Sequence, residues 1–288
     1  MNTMLRLSIF FWLWAAAMLM RADGIGETIV SDSDSALVER LLATAPKDAG
    51  TLWFARQFLG CPYVAHTLER GAFEPLVVNL HEFDCTTLVE TVCALRLCRQ
   101  RDLATFADYK AMLTRLRYFG GVRNGYLSRH HYFHWWALDN EARHLVTSVA
   151  DKALCTAVLR IDNHYMSVHP QSYAMLRDDP VAVDSIRRLE RRYNGAAVPY
   201  VPQQKIRQSR RALSSIEDGD IIAVVTSRDG LDYAHLGFAF YDRYGRLHML
   251  HASSQQKRVV ADSSTLFNYL HKRPSFLGIK VFRLNPDF

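Results

Sequence analysis

Phe83-Asp84-Cys85-Thr86-Thr87-Leu88-Val89-Glu90 is the stretch on which the fold turns. Asp84 is a residue type that caps helix N-termini, because its carboxylate accepts the otherwise unpaired N–H groups of the first turn. From Thr86 to Leu97 the chain is apolar nearly all round, which predicts a central buried helix with Cys85 at its mouth. Toward the N-terminus, apolar residues recur at helical spacing from Ser35 to Leu59, broken at Pro46 and ended by Gly60, so two short helices are expected. A strand-like Leu76-Val77-Val78 follows them. Toward the C-terminus, helices are expected from Asp102 to about Tyr118 and from Val183 to Tyr193, with strands near Leu145 to Val149 and Leu159 to Asp162. The last third changes character. Ile221 to Thr226, His235 to Tyr241, Arg246 to His251 and Leu277 to Leu284 are short Val-, Ile-, Phe- and Leu-rich runs, interrupted by one helix from Ser264 to Leu270. Helices first and strands afterwards predict an α+β fold in one domain, its helical N-terminal part packed on a C-terminal antiparallel sheet or partly open barrel.

The 288 residues, 49% hydrophobic and 22% charged, have the balance of a globular chain, not a disordered one. Arg6 precedes an uncharged apolar run from Leu7 to Met20, and Arg21-Ala22 leads into the polar Asp23-Gly24. That is the shape of a signal peptide over residues 1–22, which makes 23–288 the mature domain of an exported protein. The competing reading is an uncleaved anchor, but the apolar run is shorter than the roughly 20 residues a spanning helix needs, so no stable membrane insertion is expected. Without Arg6 and Arg21 the net charge falls from +6 to about +4. Positive charge concentrates between Arg187 and Arg211 with no aromatic interleaving and no nucleic-acid module, so a solvated face is expected there and no nucleic-acid partner. Cys61, Cys85, Cys93, Cys98 and Cys155 are odd in number, which leaves at least one thiol unpaired in an oxidising compartment. Cys85 is the candidate. The other four can form up to two bridges or serve as small buried apolar residues.

Cys85 gains meaning from two later runs, Asp232-Tyr233-Ala234-His235-Leu236-Gly237-Phe238 and Leu247-His248-Met249-Leu250-His251-Ala252-Ser253. A working cysteine needs its thiolate, and a helix N-terminus plus a nearby histidine supply the positive potential that favours it, ideally as an ion pair. The two runs look like arms of one hairpin turning through Asp242-Arg243-Tyr244-Gly245. With 242–244 as the loop, His235 falls opposite His251, Gly237 opposite Met249 and Ala239 opposite Leu247. Both histidines then share a face, and Gly237 and Ala239 on that face would let the Cys85 helix approach closely. A one-residue error would send His251 to the other side. His235 is expected to carry the proton and His251 to orient it, the third member of a triad.

Taken together these residues resemble the NlpC-type, papain-like cysteine amidases and peptidases of bacterial cell walls, in which a Tyr, an Asp-Cys at a helix start, a His-x-Gly and a later His form the site. The chain offers Pro62-Tyr63, Asp84-Cys85, His235-Leu236-Gly237 and His251-Ala252-Ser253. It is most similar to the N-acetylmuramoyl-L-alanine amidase-like branch through Cys85-Thr86-Thr87-Leu88-Val89-Glu90, Ser128-Arg129-His130-His131-Tyr132, Met166-Ser167 with Tyr173, Tyr200-Val201-Pro202 and Gly219-Asp220-Ile221-Ile222. The resemblance implies a monomeric bacterial envelope enzyme, periplasmic or secreted, that cuts the amide between N-acetylmuramic acid and L-alanine in muropeptides. It implies no cofactor and no metal. Cys85 would attack, the Cys85 N–H and the Tyr63 hydroxyl would hold the oxyanion, and Asp84, Arg129, His131, Tyr132 and Tyr200 would line the substrate groove, Arg129 reaching a carboxylate. Rival readings are a zinc amidase using His130, His131 and His134, which lack a nearby Glu or Asp and a His-Glu-x-x-His pattern, a stem-peptide endopeptidase with the same thiol chemistry, and a non-catalytic wall-binding module.

Overall fold

The computed structural model describes residues 28–69, 73–149, 151–207 and 210–285, so the signal-peptide segment lies outside the described residues. In chain order the elements are β1 (Thr28–Ile29), α1 (Asp32–Thr44), α2 (Thr51–Arg56), β2 (Leu76–Val77), α3 (Cys85–Gln100), α4 (Phe106–Arg117), α5 (Phe133–Ala142), β3 (Val146–Ser148), β4 (Ala157–Arg160), α6 (Tyr165–Val168), α7 (Pro180–Tyr193), β5 (Ala197–Pro202), α8 (Gln203–Ile206), β6 (Ile221–Thr226), β7 (Tyr233–Tyr241), β8 (Leu247–Ser253), β9 (Arg258–Ala261), α9 (Leu266–His271) and β10 (Phe276–Leu284). The fold is α+β, as expected. Its sheet runs β4-β5-β10-β6-β7-β8-β9 with β3 added on β10, every neighbour antiparallel, and it stays open. Among the described residues no helix is long and apolar enough to cross a membrane.

The pattern of the quoted stretch explains why α3 is the axis of the molecule. Asp84 caps it by accepting the Thr87 N–H at 2.8 Å, and the Thr87 hydroxyl takes the Asp84 N–H at 3.0 Å, so the first turn is closed from both sides. Every residue from Thr87 to Leu95 is buried. Leu88, Val89 and Val92 join Leu236, Phe238, Leu250 and Ala252 in one core between helices and sheet. A second core on the opposite sheet face gathers Ala239, Met249, Leu266, Tyr269 and Leu270. Besides the two-residue β1, which pairs with β2 in a small parallel sheet, two strands of the large sheet escaped the sequence reading. β5 carries Pro199 and Pro202, residues that argue against a strand, and β9 follows a turn of polar residues.

The hairpin reverses one residue later than expected. Asp242 and Arg246 close it through a 3.0 Å backbone bond, Gly245 takes φ 72°, and the Asp242 carboxylate accepts the N–H groups of Tyr244 and Arg246. Phe238 therefore pairs with Leu250 and Ala239 with Met249, a displacement of two from the expected register. Two residues preserve side-chain parity, so the histidines still share a face. The expectation that α3 approaches along that face is corrected. α3 packs on the Leu236 and Phe238 side, while a Cβ on Gly237 would lie 2.6 Å from Met249 Cγ and 2.9 Å from His251 Cβ. Gly237 makes room for His251, not for the helix.

Candidate active site

The β7–β8 ladder extends to Phe238 and Leu250. Past that point the strands part, and the N–H of Leu236 donates to the sulfur of Cys85 at the start of α3. A bulge between Val224 and Val225 at the same end of β7 re-aims the residues around Ala234. His235, two residues from Gly237, meets His251 from β8 across 2.6 Å between Nε2 and Nδ1, ring edge on ring face.

Behind His251 stands Asp262, a residue the sequence reading missed. Its Oδ2 lies 3.4 Å from His251 Nε2, and its Oδ1 accepts the Ser264 N–H at 2.8 Å. Those contacts hold the Asp262 carboxyl below the usual carboxylate range. A carboxylate can only accept, so the His251 proton sits on Nε2 and its Nδ1 is a lone pair. His235 Nε2 must then donate, which leaves His235 Nδ1 free to take a proton. Only the tertiary approach of β9 shows this, because nothing in the local sequence marks Asp262 as a partner of His251.

The electrostatics differ from the expected ion pair. Burial and the neighbouring Asp84 carboxylate push the Cys85 thiol up to about 12, although the Leu236 N–H and the Thr86 hydroxyl pull the other way. Burial, then the neighbouring His251 ring and the Arg273 cation, hold His235 well below its ordinary value. Both shifts favour the neutral forms, a thiol at Cys85 and an imidazole at His235. Removing water from the pair costs the charged forms more than the helix terminus returns.

Two cavities flank this centre. One of about 310 Å³ is lined by Tyr63, Asp84, Cys85, Glu69, Arg129 and His131, among others. Burial and the nearby Cys85 and Asp84 raise the Tyr63 phenol, so it stays protonated and able to donate. The second, about 450 Å³, is lined by His235, Ser253, Tyr269, Arg228, Lys272 and Arg273, among others. Tyr269 sits with its ring 5.2 Å from that of His251.

The expected groove residues divide. Tyr63, Asp84, Arg129 and His131 reach the Cys85 cavity. Arg129 does not stand free for a substrate carboxylate, since it is buried between Glu69 and Glu74 at 2.5 and 3.1 Å. The sequence hid those partners 60 and 55 positions upstream. Tyr132 is buried elsewhere, donating to Glu190 at 2.7 Å and accepting the Met166 N–H. Tyr200 is buried in β5, where its ring crowds Gly278 on β10. His130, His131 and His134 do not converge. His130 bridges Leu116 O and Asp139, His131 contacts Tyr126 O, and the His134 N–H donates to Asp232. All five cysteines are free thiols. Glu90 is closed off by Arg117 at 2.6 Å, a pair in which both side chains are almost fully buried.

A sequence model of the N-acetylmuramoyl-L-alanine amidase-like family matches residues 53–279. The chain belongs to that family. This amidase-like chain is similar to a solved N-acetylmuramoyl-L-alanine amidase from Bacteroides uniformis, with 37% identity and a TM-score of 0.76 over 82% of this chain and 97% of that one. A Bacteroides fragilis structure provisionally described as a xylanase has equal identity and a TM-score of 0.75, covering 80% of this chain and 99% of its own. A Legionella pneumophila protein at 22% identity shares the fold, with a TM-score of 0.66 over 88% and 93% of the two chains. No curated protein matches the amidase-like chain. Family and neighbours make it an amidase-type enzyme.

Proposed function

We propose that the chain is a papain-like cysteine amidase that hydrolyses the bond between the lactyl group of N-acetylmuramic acid and L-alanine in peptidoglycan fragments. The observation that carries the thiol chemistry is the line His235, His251, Asp262, in which each acceptor fixes the proton of the group before it, beside a Cys85 sulfur held by the N–H of Leu236, the residue next to His235. His235 Nδ1 takes the Cys85 proton as sulfur attacks the lactyl carbonyl. The Cys85 N–H, unpaired at the first position of α3, and the Tyr63 hydroxyl donate to the oxyanion. The imidazolium then protonates the alanine nitrogen, the C–N bond breaks and a thioester remains. Water, deprotonated by His235, attacks that thioester, and the departing thiolate recovers its proton from the imidazolium. Because the resting pair is neutral, the proton moves within the attack and no standing thiolate is required.

Bond choice rests on the family and on the Bacteroides uniformis amidase. The test is incubation of the mature chain with a defined muramoyl peptide and mass analysis of the products. Intact N-acetylmuramic acid with a free L-alanyl peptide supports the amidase. Cleavage within the peptide replaces it by an endopeptidase, and retention of activity by Cys85→Ala removes the mechanism.

A further inference from the structure

The two cavities beside the catalytic pair carry opposite charge. On the Cys85 side, the cations Arg117 and Arg129 are consumed by Glu90, Glu69 and Glu74, and Asp84 adds a further carboxylate. On the His235 side, Arg228, Lys272 and Arg273 line the wall, and none of the described lining residues is acidic. Among the described residues the side chains of Arg228 and Lys272 have no ion-pair partner, and both are exposed. Arg273 is held in place: its guanidinium lies over the Tyr269 ring at 4.1 Å and donates to Tyr269 O at 2.7 Å and to the Gln255 side chain. Two of its five N–H donors are used, and the stacked plane leaves its remaining edge open.

The line of proton carriers sets the direction of the substrate. His235 protonates the departing amine, so the amine half of the scissile amide belongs beside His235 and the acyl half beside Cys85 and Tyr63. The acyl half, a sugar with a lactyl ether, is uncharged, which suits a wall whose arginines are already paired. We propose that the Arg228, Lys272 and Arg273 pocket is the leaving-peptide subsite and selects peptides bearing a free carboxylate within the two residues after the scissile bond. The inference rests on the amidase reading above. It also gives Arg273 a second effect, since its charge disfavours the His235 imidazolium. A carboxylate seated on Arg273 offsets that charge and makes His235 a better base, so binding of the right peptide raises kcat as well as lowering KM.

The test compares N-acetylmuramoyl-L-alanyl-D-glutamic acid with its diamide, in which both peptide carboxylates are masked. For the unaltered chain, kcat/KM is expected to favour the acid by roughly 10-fold at low salt, the size of one charge-assisted hydrogen bond. Arg273→Gln, and separately the double change Arg228→Gln with Lys272→Gln at exposed positions, should bring that ratio toward one, while Arg273→Lys keeps most of it. Equal hydrolysis of acid and diamide by the unaltered chain overturns the subsite, as does a ratio unmoved in both variants. Cleavage of neither substrate at the muramoyl bond sinks the amidase reading itself, a result distinct from cleavage without discrimination.

Discussion

The Cys85 side and the His235 side of the site are built on opposite principles. Around Cys85 every strong charge is answered from within: Arg117 by Glu90, Arg129 by Glu69 and Glu74, and the α3 N-terminus by Asp84. Around His235 the cations Arg228 and Lys272 are left open to solvent and Arg273 is paired with no carboxylate among the described residues. Closed pairs hold a nucleophile in one place, because a buried charge that loses its partner is costly. Among the described residues Arg228 and Lys272 have no acidic partner, and Arg273 is anchored only by neutral groups, so their charge is available to a ligand. The contrast teaches that a charged residue near a site indicates substrate only when the fold has not already spent it, as it has spent Arg129.

Five measurements break or sharpen the contrast. The largest effect is expected for Cys85→Ala, which should lower turnover of a muramoyl peptide at least ~10³-fold with folding retained, read by product mass analysis. Next, Glu90→Ala strands Arg117 in the closed half and should cost about 3–5 kcal/mol, a fall in Tm of roughly 10 °C by calorimetry. An unchanged Tm would show that the Cys85 side is not held by its buried pairs. Third, Gly237→Ala forces Met249 and His251 aside and should cost about 1–3 kcal/mol, with turnover per folded molecule falling too. Fourth, Asp262→Asn can present an N–H to His251 Nε2 and favour the other tautomer, so kcat should drop about 10-fold with KM little altered. A purely structural Asp262 would instead lower stability and leave kcat of the folded enzyme intact.

The smallest effect is in pH dependence. His235 must be neutral to accept the thiol proton, so kcat/KM is lost only as pH falls through its pKa. That pKa is held well below 6.5 by burial and by His251 and Arg273, with Tyr269 beside the ring and Arg228 and Lys272 lining the same cavity. Activity of the free enzyme should therefore persist as pH drops past 6.5. Arg273→Gln should move the acid limb upward, because the imidazolium loses a repelling neighbour. An acid limb at or above 6.5 in the unaltered chain would contradict the neutral resting pair.

Much of this was legible before the tertiary structure. The α3 start, the strand-like histidine runs and the shared parity of His235 and His251 follow from cap chemistry, hydrophobic period and turn residues, which act over a few positions. Even the misplaced loop left the histidines together, since a two-residue slip changes partners but not faces. Asp262, Tyr269 and Arg273 were not legible as site residues, because nothing local distinguishes them from ordinary loop and short-helix residues. The same holds for the partners that occupy Arg129.

The sequence by itself singled out Cys85, His235 and His251 as the candidates for the proposed chemistry and determined that the fold is α+β, since local spacing dictates helix, strand and side-chain face. Only the tertiary structure decided which charges are spent and which are free, which His235 nitrogen faces His251, and that burial raises the Cys85 thiol. Those properties depend on desolvation and on groups dozens of residues apart, and neither is encoded in any single stretch of chain.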